Sequence, residues 1–259
     1  MAGFRELLAV EWDNNAVETF RLNFPGVPVY HGDICKLSVE ECLHLANLEP
    51  GQLDVLDGSP PCQGFSTAGK RQMDDPRNSL FREYVRLLRG LRPRAFVMEN
   101  VSGLVKGKMK LVFAEIMREL KASGYQVKCR LLNAMYYNVP QSRQRLIWIG
   151  LRDDLGKEPS HPKAESRPVT VREAFAGIDD RGDAPHLSAQ YVDYWHKAGM
   201  GGVVGKLGCH RRLLWQRPGF VLQKASGYGG AYHPTEPRPL STAERKRIAS
   251  YPGSFRFTG

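Results

Sequence analysis

Short apolar runs alternate with amphipathic stretches through the first 151 residues, and that rhythm restricts the chain to few architectures. Runs at Leu7–Val10, Val27–Tyr30, Leu53–Leu56 and Ala95–Met98 have the length of buried strands. Between them, Asn14 or Asn15 can cap a helix with Ala16, Phe20 and Phe24 on one face, and Val39–Leu48 reads as helical. Asn78–Leu91 places Leu80, Tyr84, Leu87, Leu88 and Leu91 at helical spacing, and Leu111–Ser123 closes at Gly124, a usual C-terminal position. Gln126–Asn133 and Arg145–Leu151 read as further strands. The alternation predicts an α/β, doubly wound, mainly parallel sheet, in which ligands meet the carboxyl ends of strands. Glu11, Asp33, Cys62, Glu99 and Arg143 each fall just past an expected strand, on that one edge. One carboxylate at a strand end is ordinarily a cap or a turn residue; the shared placement points to a site.

Past residue 151 the rhythm stops. Residues 156–168 are rich in Pro, Lys and Ser and read as a linker, and 169–230 are glycine-rich and weakly periodic. The expected division is a main domain over 1–155, a linker and small irregular domain over 156–230, and a return segment over 231–259. No apolar run spans a bilayer and no signal peptide opens the chain, so a cytoplasmic protein without a membrane partner is expected. The five cysteines, at 35, 42, 62, 129 and 209, form no Cys-x-x-Cys pair, which argues against zinc and a disulfide framework. Gly-x-Gly-x-x-Gly and Gly-x-Ser-x-Gly motifs are absent, which leaves a dinucleotide dehydrogenase and a serine hydrolase unsupported; no His carries a motif for a Cys–His hydrolase. The net charge is +10, and from Met200 onward ten Lys or Arg face two Glu, so most of the excess lies there. With Trp215, Phe220, Tyr228, Tyr232 and His233 interleaved, the segment suits a polyanion, most simply nucleic acid; the alternative is a solvated basic face.

The run Gly58-Ser59-Pro60-Pro61-Cys62-Gln63-Gly64-Phe65-Ser66 presents one thiol on a loop after an abruptly ended strand. A lone cysteine is ordinarily buried and inert. Here its neighbours resemble the catalytic loop of the cytosine-C5 DNA methyltransferases. Glu99-Asn100-Val101 is similar to that family's Glu-Asn-Val motif, and Gln141-Ser142-Arg143-Gln144-Arg145 to its Gln-x-Arg-x-Arg motif. The resemblance covers nearly the whole chain in the family's usual order. It implies a Rossmann-like fold of the S-adenosylmethionine-dependent type, with 1–155 catalytic and a target-recognition region within 156–230.

In that chemistry a thiolate adds to cytosine C6 and makes C5 an enamine carbon able to attack a sulfonium methyl. The resemblance implies Cys62 as nucleophile, Glu99 as the carboxylate on N3 and the exocyclic amine, Arg145 on the base oxygen, Arg143 near the thiol and Gln141 as a brace. It implies Glu11, Trp12, Asp33, Ile34, Pro60 and Leu80 around S-adenosylmethionine. Double-stranded DNA is the implied partner, its target base flipped out, with Gln63, Ser66, Lys70 and Arg71 facing it and Arg238 either structural or facing phosphate. The context is restriction–modification or host methylation. A catalytically dead DNA-binding protein and a tRNA cytosine methyltransferase are the alternatives. The family's Phe-x-Gly-x-Gly-Gly loop, expected ahead of Glu11, and its Gly-Asn-Ala-Val-Pro segment are not in these 259 residues. Strands at Leu7–Val10 and Leu53–Leu56 are therefore expected to lack a neighbour between them. A complementing polypeptide is one way to supply it; a truncated sequence is the other.

Overall fold

The computed structural model describes residues 3–61, 79–165, 167–178, 183–206, 210–223 and 230–258. It divides into two compact units. The first comprises residues up to 132, 145–162 and 256 onward; the second comprises 133–144 and 163–255. These units do not follow the division expected at 155 and 231. Residues 133–144 fold with the second unit because their backbone is stitched there: Ser142 N–H donates to Gly219 O and Gly219 N–H to Pro140 O, each at 2.8 Å.

The first unit carries β1 (Ala9–Glu11), α1 (Asn14–Asn23), β2 (Val29–His31), α2 (Val39–Ala46), β3 (Val55–Gly58), α3 (Ser79–Leu91), β4 (Ala95–Val101), α4 (Lys110–Ala122), β5 (Tyr125–Asn133) and most of β6 (Gln144–Arg152). Each expected element is present, with shifted ends. The cap of α1 is Asp13, not Asn14 or Asn15: Asp13 is extended, and its carboxylate accepts from Ala16 N at 3.0 Å. β4 runs three residues past the expected Met98, because β6 pairs with it antiparallel from Ala95↔Leu151 to Val101↔Arg145.

The sheet is in two pieces: β1 pairs parallel with β2, and separately β3, β4, β6 and β5 lie in that order, with β3 parallel to β4. Among the described residues β1 and β3 are not paired with each other. Yet Leu8 and Val10 from the first piece and Leu53 and Leu56 from the second pack on one apolar cluster with Leu37, Cys42, Leu87 and Leu91.

The larger core lies on the Phe96–Met98 face of the four-stranded piece. α3 lays Phe81, Tyr84, Val85 and Leu88 against it, and α4 adds Val112, Ile116 and Leu120. Phe96 is fully buried, with its ring set edge-on against Tyr84 and Tyr125. The last described residues lie on α1: Thr258 and Thr19 hydroxyls meet at 2.9 Å, and Asn23 bonds both the N–H and the C=O of Arg256.

The second unit holds α5 (Val171–Ala174), α6 (Ala189–Lys197), β7 (Arg211–Arg212), β8 (Ala231–Tyr232) and α7 (Thr242–Ile248). Its core gathers Val171, Leu213, Ala231, Leu240 and Ile248 with Phe175, Trp215 and Phe220. Tyr232 is fully buried with Trp195 and Val204. Of the aromatic residues read as a nucleic-acid face, Tyr232 and His233 are buried in this unit and Trp215 and Phe220 are half-buried against its core, while Tyr228 lies outside the described residues. Arginines stack on aromatic rings of this unit, Arg212 over Trp195 at 3.7 Å and Arg211 over Phe220 at 4.5 Å.

Candidate active site

β3 ends at Gly58 because the next positions cannot continue a ladder. Pro60 and Pro61 have no N–H to donate. Gly58 itself is pressed by Tyr84: a Cβ there would stand 2.7 Å from the ring, whose hydroxyl donates to Val97 O at 3.3 Å. Cys62 follows two residues after Pro60. It and Gln63, Ser66, Lys70 and Arg71 lie outside the described residues. The three described thiols are all held above the ordinary cysteine range. Burial raises Cys42 and pushes Cys129 up to about 12, and desolvation followed by Asp33 raises Cys35. None of them is a ready thiolate at neutral pH.

The carboxyl end of β4 presents Glu99. The antiparallel register pairs Val101 with Arg145 and Glu99 with Ile147, which sets Arg145 diagonally beside Glu99 on one face. Arg145 Nε donates to Glu99 Oε1 at 2.6 Å, with both side chains part-buried. The sheet therefore brings together two of the four expected catalytic residues. Asp57, in register with Val97 on the neighbouring strand, shares that face. Desolvation holds its carboxyl above the usual range, and the Glu99 charge adds to the rise. Arg143 belongs to the second unit, where its C=O accepts from Ala134 N; Gln141 is buried there.

Of the residues expected around a cofactor, Glu11 closes β1, and its Oε1 accepts from Trp12 N at 2.8 Å and Asp13 N at 3.0 Å. Trp12 holds its indole in solvent at 78% exposure. Asp33 caps the short turn at Ile34–Lys36 through Cys35 N, and that bond holds its carboxyl below the usual range. Arg86 on α3, which sequence reasoning missed, fixes the turn by donating to Ile34 O and Leu37 O. Leu80 is half-buried in the first turn of α3, and Pro60 is buried. Asn100 was missed as a separate contributor: its side chain reaches Pro60. Its signal was present, next to Glu99, but the contact spans 40 residues of sequence.

Arg238, expected as a structural or a phosphate-facing arginine, is held by carboxylates. Its guanidinium clasps both oxygens of Glu244 at 2.8 Å and Glu236 Oε2 at 2.8 Å, and Glu244 in turn caps α7 at Ser241 N. The Glu244 bond keeps Arg238 firmly protonated.

Comparison with known proteins decides the family. Residues 1–190 match the family model described as C-5 cytosine-specific DNA methylase. The chain belongs to that family. The chain is 33% identical over 287 residues to the Type II methyltransferase M.Sau96I of Staphylococcus aureus, covering 100% of itself and 65% of that protein. It is 41% identical over 185 residues to M.AquIA of a Picosynechococcus strain, covering 66% of itself and 74% of that protein. Against M1.HphI of Haemophilus parahaemolyticus, at 44% identity, the match spans 44% of the relative. The chain thus spans from under half to about three quarters of these relatives. In structure it is similar to a candidate DNA modification methyltransferase encoded within an E. coli prophage, with a TM-score of 0.82, 24% identity and coverage of 99% and 85%. The Spodoptera frugiperda DNMT2 mutant gives 0.71 at 19% identity, with coverage of 97% and 83%. These likenesses establish the Rossmann-like methyltransferase fold. Among the described residues no helix is long and apolar enough to cross a membrane, and no metal-ligating cluster is present.

Proposed function

We propose that this chain carries the catalytic machinery for methylating cytosine at C5 in double-stranded DNA, within a restriction–modification setting in the cytoplasm. The observation that carries the reading is the Glu99–Arg145 pair at the carboxyl end of β4, beside the strand that leads into Pro60-Pro61-Cys62. A flipped cytosine set against β4 would find a carboxylate for N3 and the exocyclic amine and a guanidinium for the ring oxygen. Cys62 would attack C6, forming an S–C bond while the C5–C6 π electrons move to C5. After methylation, loss of the C5 proton and of the thiolate restores the double bond. Glu99 holds the N3 edge while charge develops there, and Arg145 keeps the base in register.

S-adenosylmethionine would supply the methyl group as a sulfonium. The residues present fit its nucleoside half: Trp12 offers an open aromatic face, Glu11 keeps a second carboxylate oxygen for ribose hydroxyls, and Asp33 and Ile34 stand at the next strand end. The methionine half is not assigned to residues of this chain. Among the described residues β1 pairs only with β2 and β3 only with β4, which supports the same division. A parallel strand from outside residues 3–258, upstream in the same polypeptide or on a companion chain, would fill the place between them.

The test is covalent trapping on duplex DNA containing 5-fluorocytosine, with methyl donor, for the chain alone and for the chain with the missing strand supplied. Cys62→Ser abolishes trapping; persistence would refute the nucleophile assignment. Glu99→Gln slows adduct formation far more than it weakens DNA binding. Binding without trapping in every condition would favour a DNA-binding protein without catalysis, and preference for a tRNA over duplex DNA would overturn the substrate.

A further inference from the structure

The segment that follows β2 has few bonds of its own. Its turn closes on Lys36 N–H to Asp33 O at 2.9 Å and Leu37 N–H to Ile34 O at 3.3 Å, with Asp33 Oδ1 capping Cys35 N at 3.0 Å. So short a turn is not stable alone, because nucleation fixes more backbone freedom than its bonds return. Helix α3 supplies the rest from one face, where Glu83, Arg86 and Gly90 follow at spacings of three and four. Gly90 admits the segment: a Cβ there would overlap the Val39 side chain. Leu87 and Leu91 bury Leu37 beside it. Arg86 Nη2 donates to Leu37 O at 2.7 Å and to Ile34 O at 3.2 Å, while its Nε donates to Glu83 Oε2 at 2.6 Å. The guanidinium is a rigid plane, so Glu83 sets its orientation and thereby where Nη2 meets the two carbonyls.

We propose that Arg86 is a positioning residue for adenine selectivity: it fixes the turn that carries Asp33 and Ile34, and so the spacing of the groups that read the base. This rests on the proposed function above, which sets the nucleoside half of the methyl donor against Glu11, Trp12, Asp33 and Ile34. Adenine presents a donor, its exocyclic amine, next to an acceptor, N1. The Asp33 carboxylate accepts and the Ile34 backbone N–H donates. Hypoxanthine inverts both positions, with a carbonyl in place of the amine and a hydrogen on N1. A site discriminates between such edges only when its own donor and acceptor are held in place, since a turn free to shift re-pairs with either. Leu80, expected against the cofactor, stands in the first turn of the same helix. One rigid element therefore carries both a wall of the pocket and the clamp on its reading turn.

The test titrates the full chain calorimetrically with S-adenosylhomocysteine and with S-inosylhomocysteine, for the parent, Arg86→Met and Arg86→Lys. Methionine keeps an unbranched stem and removes every side-chain donor. In Arg86→Met the affinity for the adenosyl ligand is expected to fall roughly tenfold and that for the inosyl ligand less than about twofold, so the selectivity of the parent collapses. Arg86→Lys keeps the charge and one donor group and should recover part of that selectivity. A second readout needs no ligand. In Arg86→Met the amides of Lys36 and Leu37 should exchange with deuterium at least about tenfold faster, while the β4 amides paired with β6 keep the parent's rates. The proposal is overturned if Arg86→Met keeps the parent's selectivity, if both ligands weaken by the same factor, or if the turn and β4 amides accelerate together. Failure of the underlying reading looks different: a parent that binds the two ligands equally, or neither, removes the nucleoside assignment itself and the proposal with it.

Discussion

Gly150 lies opposite Phe96 in the β4–β6 ladder, and substituting it with alanine puts a methyl group where the ring already is. An ideal Cβ at Gly150 would stand 2.0 Å from Phe96 Cε1, 2.5 Å from Cζ and 2.6 Å from Cδ1. Carbon atoms settle at about 3.5–4.0 Å, so the nearest ring atom must retreat by about 1.5 Å. It has nowhere to go. The ring is fully buried, with Tyr125 edge-on at a centroid distance of 5.3 Å and Tyr84 at 6.3 Å. Overpacking of a filled core costs about 1–3 kcal/mol, and this overlap belongs at the top of that range. For a chain of this size about 3 kcal/mol corresponds to a fall of roughly 6–12 °C in thermal midpoint. Thermal and urea denaturation of Gly150→Ala, Phe96→Leu and the double variant form the assay. Removing the ring's far atoms relieves the clash, so the double variant should be more stable than the sum of the singles by about 1 kcal/mol or more. A midpoint for Gly150→Ala within about 1 °C of the parent, or strict additivity, would refute the packing argument.

Arg145→Leu leaves Glu99 part-buried without its guanidinium; turnover should fall at least tenfold, roughly, with Arg145→Lys recovering part of it, as read by steady-state kinetics on duplex DNA. Asp57→Asn should raise the thermal midpoint at neutral pH. Its carboxyl titrates above the ordinary 3.8, so the folded state holds that proton more tightly and stability declines as pH rises through the raised value; the variant should lose that portion of the decline. Arg238→Met strands the buried Glu244 and should destabilise the second unit by about 3 kcal/mol, while DNA affinity of the folded fraction keeps its salt dependence; a shallower salt slope would return Arg238 to the phosphate-contacting role. Trp12→Ala should weaken binding of the adenosine moiety, measured by calorimetry with S-adenosylhomocysteine, and leave the midpoint unchanged because the indole is exposed.

The first unit was legible because its elements carry their own periodicity. α3 is amphipathic from Ser79 to Leu91, and the apolar runs at Leu53 and Ala95 name the strands that bury them. Ends were less legible, since pairing sets them: β1 sits at Ala9–Glu11 rather than Leu7–Val10, where β2 offers partners. The second unit could not be read this way. Its order comes from pairs far apart in sequence, such as Ser142 with Gly219 and Phe175 with Trp215 and His233. Basic residues with interleaved aromatics fit a stacking surface and an Arg-capped core equally well, and only the fold separates the two. For the site, residue types were legible and partnerships were not: Glu99 and Arg145 were named apart, and the Asn100 bond to Pro60 follows from register rather than composition.

The tie between the last described residues and α1 bears on how the molecule is made. Thr19 and Thr258 are separated by 239 positions, and Asn23 and Arg256 by 233. Closing so long a loop costs roughly 3 kcal/mol more chain entropy than closing a turn of about ten residues. A ribosome releases α1 long before it can meet its clasp. The outer side of α1 therefore waits, uncovered, through synthesis of everything between, including the whole second unit. These bonds should be among the last to form and the first to open, and the amides of residues 256–258 should exchange with solvent ahead of those in β4 and β6.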